Sequence, residues 1–303
     1  MSQSATPHYA PWLGWLLHAS ALFRLIPPET RGKMRMARLL LAPILTLTGI
    51  EVCDRFANHL RIASVGESVG FQLLINGVYG MEEMRFILDH LVRGSTFVDV
   101  GANIGCYSLP AAQRVAPNGR VLSIEASPKI LSLLQTNVER NHASNVTIVP
   151  VAASDRDGIV SFYAAPSTHA GMGSLAPRFV DGEIYVPARP VDSILTEARV
   201  DQVHLMKVDV EGFEAAVFRG SRQLLTSDTP PIVLFEFNDW AEEQADFAPG
   251  DAQQQLREWS YTLWRLDDYQ HRRPPLAAPI VSGSEMLVAR RQVDSRAAGG
   301  GTR

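Results

Sequence analysis

The sequence predicts a doubly wound α/β domain built on a mostly parallel sheet, and three observations carry that expectation. Five apolar runs, at residues 97–100, 121–124, 146–152, 203–210 and 232–237, are separated by helix-length segments, the pattern of parallel strands covered on both faces. The first run ends in an acid and a glycine turn, after which a helix opens. The chain has 303 residues, 46% hydrophobic and only 20% charged, enough for one enzyme-sized core. That composition excludes collagen-like, coiled-coil and wholly disordered chains.

Residues 1–55 read as a helical segment broken by Pro27-Pro28. Its apolar stretches, 12–17 and 37–50, fall short of the ~20 residues that span a bilayer, and no basic region precedes Trp12 to form a cleavable signal. They read as amphipathic helices. Trp, Leu and Phe within residues 9–50, together with Arg24, Arg31, Lys33, Arg35 and Arg38, also suit a peripheral membrane contact. Residues 56–92 read as a β-ribbon to about 78, punctuated by Gly66, Gly70 and Gly77, and then a helix with Met84, Ile87, Leu88 and Leu91 on one face.

The main domain spans 93–292, with an insertion at 159–190 that reads as hairpin strands around a glycine-bearing loop at 171–174, and a last strand near 286–289. The tail 293–303, with three consecutive glycines, is expected to be disordered. A net charge of −4 provides no global basic field, so nucleic acid is not an expected partner and a small molecule or glycan is. Two cysteines, Cys53 and Cys106, are too few for a disulfide framework, and the expected compartment is the cytoplasm.

The chemistry concentrates at strand ends. In Asp99-Val100-Gly101-Ala102-Asn103-Ile104-Gly105, followed by Cys106-Tyr107-Ser108, the glycines let a ligand approach the backbone, and the helix start offers free N–H groups. Asn103 stands where a dinucleotide fingerprint needs glycine, and Asp99 suits a cationic ligand such as S-adenosylmethionine better than a pyrophosphate. A nucleotide and a purely structural turn are the alternatives. Glu125 closes the second run, placed to accept from ribose hydroxyls, with Ala126 beside it and Ser127-Pro128 as a helix cap and first turn. Ser154 and Asp155 end the third, where Asp155 suits an adenine amine or an ordinary turn.

In the fourth run Lys207, Asp209 and Glu211 alternate with apolar residues and share one face. A buried unpaired charge costs several kcal/mol, so the trio reads as a neutralised network or a polar site. Glu236 at the end of the fifth run adds an acceptor to the same edge. Two such carboxylates have the chemistry to hold Mg²⁺. The metal-free reading, a general base with a hydroxyl clamp, is favoured. Among the histidines, His204 lies at the wrong end of its strand, and His169 in the insertion is a minor candidate base.

These segments, with 207–214 reading Lys-Val-Asp-Val-Glu-Gly-Phe-Glu, then Phe218-Arg219-Gly220 and 234–237, resemble the FkbM-type S-adenosylmethionine-dependent methyltransferases over roughly residues 78–238. The resemblance implies a class I methyltransferase fold, seven strands with the last antiparallel, and O-methylation of a hydroxyl on a sugar, glycolipid or polyketide-like molecule. It implies cofactor contacts at Asp99, Gly101, Ala102, Asn103, Gly105, Tyr107, Glu125, Ala126, Ser127, Ser154 and Asp155. From their position at the strand ends, Asp209, with Glu211 or Glu236, is expected to accept or orient the hydroxyl proton, and Lys207 to tune their charge. Two departures stand out: Gly80 follows Tyr79 where the family has Glu, the nearest acids being Glu82 and Glu83, and the 171–175 loop matches a glycine-serine segment of unassigned role. The competing readings are a cofactor-binding module without catalysis and a nicotinamide-dependent sugar oxidoreductase.

Overall fold

In the computed structural model, residues 11–28, 30–163 and 183–291 are described. The strands are β1 (Glu51–Cys53), β2 (His59–Arg61), β3 (Thr96–Val100), β4 (Arg120–Ile124), β5 (Val146–Val149), β6 (Ala152–Ala153), β7 (Gly158–Tyr163), β8 (Glu183–Arg189), β9 (Leu205–Val208), β10 (Ile232–Asn238), β11 (Tyr261–Arg265) and β12 (Ser284–Arg291). Seven of them form one sheet in the order β11-β12-β10-β9-β3-β4-β5. From β5 across to β10 every pairing is parallel, and β12 is antiparallel to both its neighbours. This is the class I methyltransferase topology. The strand order reverses at β3/β9, and ligands of open α/β sheets bind outside the carboxyl ends of the strands at such a reversal.

β3 and β9 are buried at every position, as expected of central strands packed by helices on both faces. Val98, Val100, Met206, Val208 and Phe235 join one apolar cluster, and Phe97, Val121, Leu205 and Leu234 join another. β7 and β8 pair as a hairpin whose edge takes up β6, so the third run splits: its end leaves the main sheet to join the insertion. The loop at 171–175 and His169 lie outside the described residues, as does the tail 293–303.

The segment before the domain departs from expectation. The ribbon exists, but as β1 and β2 at 51–61; residues 68–76 are the helix Ser68–Asn76 instead. Gly70 is the cause. A Cβ there would lie 2.0 Å from the Ser64 carbonyl oxygen, so the glycine lets a helix pack hard on the preceding loop and does not mark a strand. Helices at Pro11–Ser20 and Lys33–Leu40 precede it, and among the described residues no helix is long and apolar enough to cross a membrane. Two of the five basic residues read as membrane-facing turn inward: Arg24 donates to the carbonyls of Cys53, Leu73 and Leu74, and buried Lys33 donates to that of Ile26.

Candidate active site

The polar floor of the site is a row across three strands. Register places Lys207 of β9 opposite Asp99 of β3, and Asp99 opposite Ser123 of β4. The Lys207 ammonium donates to the Gly101 carbonyl at 3.1 Å and forms ion pairs with Asp209 at 3.2 Å and Asp99 at 3.6 Å, the latter too long for a hydrogen bond. Ser108 donates to Asp99 at 2.6 Å and Ser123 donates to Ser108 at 2.8 Å. Burial pushes the Asp99 carboxyl upward, and Lys207 and Ser108 only partly offset it. For Lys207 burial works against the charge, but Asp209 and Asp99 outweigh it and the net direction is up, keeping the ammonium charged.

Above that floor the β3 turn bends through Gly101 at φ +76°, where a Cβ would sit 1.9 Å from the Asp209 carbonyl oxygen. Only glycine allows the turn after β3 and the loop after β9 to touch. The N–H groups of Gly101 and Ala102 both donate to the Ile124 carbonyl. Glu125 then ties the next turn: its two oxygens accept from the N–H groups of Asn103 at 2.9 Å and Ser127 at 2.8 Å. Burial raises the Glu125 carboxyl, opposed by those two bonds. Ser127 does occupy the N-cap with Pro128 after it, but its side chain makes no capping bond, so its contribution is the backbone N–H.

The loop after β9 is not strand. β9 stops at Val208, and Glu211 has φ +59°, so Asp209 and Glu211 reach the same place through a turn and not by strand alternation. Glu214 holds that turn by accepting from the N–H groups of Val210 and Gly212, and burial raises it to about 8. Asp209, Glu211 and Glu236 bring carboxylate oxygens within 4.8 Å of one another. Burial and then the like charges of Asp209, Glu211 and Glu214 raise Glu236 to about 9, so it holds its proton at neutral pH.

Two cavities meet at these groups. The first runs from Ala102 and Asn103 past Glu125, Ala126 and Ser127 to Ala152 and Phe162, with Gly101, Lys207, Asp209, Glu211 and Glu236 at its other side. The second is lined by Gly80, Glu82, Glu83, Asp267 and Glu285. Tyr79, Tyr107, Asp209 and Glu236 line both, the two tyrosine rings standing 5.8 Å apart.

Of the residues expected to touch the cofactor, Gly101, Ala102, Asn103, Tyr107, Glu125, Ala126 and Ser127 line the first cavity. Asp99, Gly105, Ser154 and Asp155 do not. Asp99 is fully buried and serves as the internal counter-ion of Lys207, not as the anion facing the ligand. Gly105 packs on Leu134 and Leu109. Asp155 turns to Arg219, 3.5 Å away, with the Ser154 hydroxyl donating to it, because the strand has already left for the hairpin. His204 accepts from the Thr96 N–H at the far end of the sheet. Sequence reasoning missed Glu67, Ser68 and Val69 at the start of the 68–76 helix, together with Tyr79, Phe162 and Phe213. The available signal was Glu67-Ser68 before an apolar run, a helix-start pattern obscured by the glycines.

The residues present fit S-adenosylmethionine. A glycine turn exposes backbone to the ligand, an acid closes β4 where ribose hydroxyls would lie, and small and aromatic side chains, Ala152 and Phe162, wall the far end. Fold and site together define an S-adenosylmethionine-dependent methyltransferase of class I. Residues 99–263 match the family described as the methyltransferase FkbM domain, and the chain belongs to that family. Its relatives include the hexuronic acid methyltransferase AglP of Haloferax volcanii, 25% identical over 48% of this chain and 57% of that protein. The 2-O-methyltransferase NoeI of Sinorhizobium fredii is 26% identical over 47% of this chain and 63% of that one. The match thus spans little more than half the length of these two relatives. Among solved structures, precorrin-6y C5,15-methyltransferase from Geobacter metallireducens superposes with a TM-score of 0.41 at 14% identity, covering 70% of this chain and 88% of that chain.

Proposed function

We propose that this enzyme transfers a methyl group to a hydroxyl oxygen of a neutral or amine-bearing sugar, free or carried on a glycolipid or polyketide-like core. The observation that supports this reading is that Asp209 and Glu236 line both cavities, so an acceptor in the second would present its hydroxyl at the edge of the first. When bound, S-adenosylmethionine supplies an electrophilic methyl on a sulfonium. Gly101, Ala102, Asn103 and Glu125 would hold it, Tyr79 and Tyr107 wall the junction against water, and Lys207 anchors Asp209 from below.

Asp209 is the group assigned to accept the hydroxyl proton. Glu236, protonated at neutral pH, orients the same hydroxyl or its neighbour, and Glu211 contributes charge that keeps that proton in place. Alignment of the two reactants supplies most of the acceleration. The base adds about 10²–10⁴-fold.

The second cavity argues for the acceptor's charge. Glu82, Glu83, Asp209, Glu236, Asp267 and Glu285 line it, and no Lys, Arg or His does among the described residues. Arg273 and Arg265 pair with Asp267 and Glu285 from behind the wall, so its net charge is smaller than its count of acids; it still offers acceptors to hydroxyls and ammonium groups and no lining cation to an acidic sugar of the kind named for the Haloferax relative. Asp209→Asn should lower turnover about 10²–10⁴-fold and leave S-adenosylhomocysteine affinity within about threefold. Undiminished turnover would remove Asp209 from the mechanism. Release of S-adenosylhomocysteine with uronic acid glycosides but not with neutral or amino glycosides would overturn the acceptor class.

A further inference from the structure

We propose that the outer face of the N-terminal helices docks on a lipid bilayer bearing anionic headgroups. The inner face of this layer is committed to the protein. Phe23, Ala37, Leu41 and Ile44 join the buried cluster of Leu60 and Phe71, and Lys33 fastens the helix Lys33–Leu40 to Ile26 at 2.7 Å. Away from that cluster, the same elements leave Trp15, Leu22, Leu25, Met36, Leu39 and Leu40 between 45% and 81% exposed. These six are more than half of the large apolar side chains exposed anywhere among the described residues. Single exposed leucines are ordinary, but such a concentration marks an interaction surface.

Charge selects the occupant. Arg31 and Arg35 are exposed on the same segment, whereas Arg38 turns back over the Phe71 ring, and no acid occurs from Arg31 to Ile50 in a chain of net charge −4. An apolar face rimmed by arginine matches a bilayer interface, where leucines enter the acyl boundary, Trp sits at headgroup level and the guanidinium groups meet phosphate. A second copy docked on the same patch by two-fold symmetry would bring the arginines of both copies together. The short helices would lie on the surface and not cross it.

The test is co-sedimentation of the full chain with phosphatidylcholine vesicles, with and without phosphatidylglycerol, at low and high salt. Binding is expected to the mixed vesicles, weakened by salt and by omission of phosphatidylglycerol. Leu25→Glu and Leu39→Glu should each weaken it about tenfold or more, and Arg31→Gln and Arg35→Gln about fivefold each. The substituted side chains are exposed, so S-adenosylhomocysteine titration of every variant, which reports on folding and on the cofactor cavity, is expected to be unchanged. No binding of the parent chain to either vesicle, or binding indifferent to Leu25→Glu and Leu39→Glu, overturns the proposal. So does a concentration-dependent dimer that Leu39→Glu dissociates, which assigns the face to a second copy.

Discussion

Replacing Asp99 by Asn separates two roles that a strand-end acid can play in this fold. Were Asp99 a ligand contact, the variant would keep its stability and lose cofactor affinity. The structure makes it the counter-ion of Lys207, 3.6 Å away, with side-chain exposures of 0% and 3%. In Asp99→Asn, Lys207 retains Asp209 at 3.2 Å and the Gly101 carbonyl, so the loss should be that of one counter-ion and of the charge on the hydrogen bond accepted from Ser108, about 1–3 kcal/mol. Lys207→Met is more severe. It strands Asp99 without a cation in a fully buried position, and breaking a buried pair in this way costs about 3–5 kcal/mol. The double variant should recover part of that sum, with a coupling energy of about 1–3 kcal/mol.

The pH dependence of Lys207→Met carries an independent sign. Burial already raises Asp99, and Lys207 is the first of the influences that oppose it; without the ammonium the folded value rises further above the unfolded one. An acid raised on folding is most stabilising below its unfolded value and loses that contribution as pH climbs through its folded value. The deficit of Lys207→Met relative to the parent should therefore shrink as pH falls toward the ordinary carboxylate range. Urea denaturation followed by circular dichroism at several pH values gives both quantities, and calorimetric titration with S-adenosylhomocysteine gives the third. If Asp99→Asn keeps the parent's denaturation midpoint while losing about tenfold or more in affinity, the internal ion pair is not what that carboxylate is for.

Glu125→Gln should weaken S-adenosylhomocysteine binding at least about tenfold, because the new NH₂ must face one of two backbone N–H donors now satisfied at 2.8 and 2.9 Å; titration calorimetry measures it. Glu236→Gln mimics the protonated acid and should retain activity near neutrality while removing the alkaline decline that the parent shows as Glu236 ionises near about 9, read from the pH–rate profile. Glu242, Glu214 and Glu236 are raised to about 7, 8 and 9, in each case first by burial, so their contribution to folding is complete below their ordinary range and fades as pH rises through those values; the melting temperature of the free enzyme should fall across that alkaline range. A chelator added before substrate should leave the initial rate unchanged, and restoration of a lost rate by Mg²⁺ would reinstate a metal at the Asp209, Glu211 and Glu236 carboxylates.

The sheet was legible because central parallel strands are apolar on both faces, and the runs at 97–100, 121–124, 203–210 and 232–237 are mainly apolar, their exceptions being Asp99, Ser123, His204, Lys207, Asp209 and Glu236. Glu125 was legible for a similar reason: a carboxylate closing a buried strand has few places to go. The partner of Asp99 was not. Lys207 lies 108 residues further on, and which residue of one strand faces which residue of another depends on register that no local pattern encodes. Helix Ser68–Asn76 was missed where a packing glycine imitates a strand break. The second cavity was missed because its wall gathers Glu83, Asp209, Asp267 and Glu285 from four separate stretches of chain.

The contact between Gly101 and the Asp209 carbonyl explains why these distant segments act as one device. One loop holds backbone toward the cofactor cavity, and the other carries the carboxylate at the junction with the second cavity. Lys207 binds both, through the Gly101 carbonyl and the Asp209 carboxylate. A side chain at position 101 would have to push the Asp209 backbone outward, since an added Cβ would stand 1.9 Å from its oxygen. The floor of one reactant's site is thus the support of the other's. In a displacement whose rate depends on alignment more than on proton transfer, that shared support would tie the position of the proposed base to that of the methyl donor, so that a shift in either turn disturbs both.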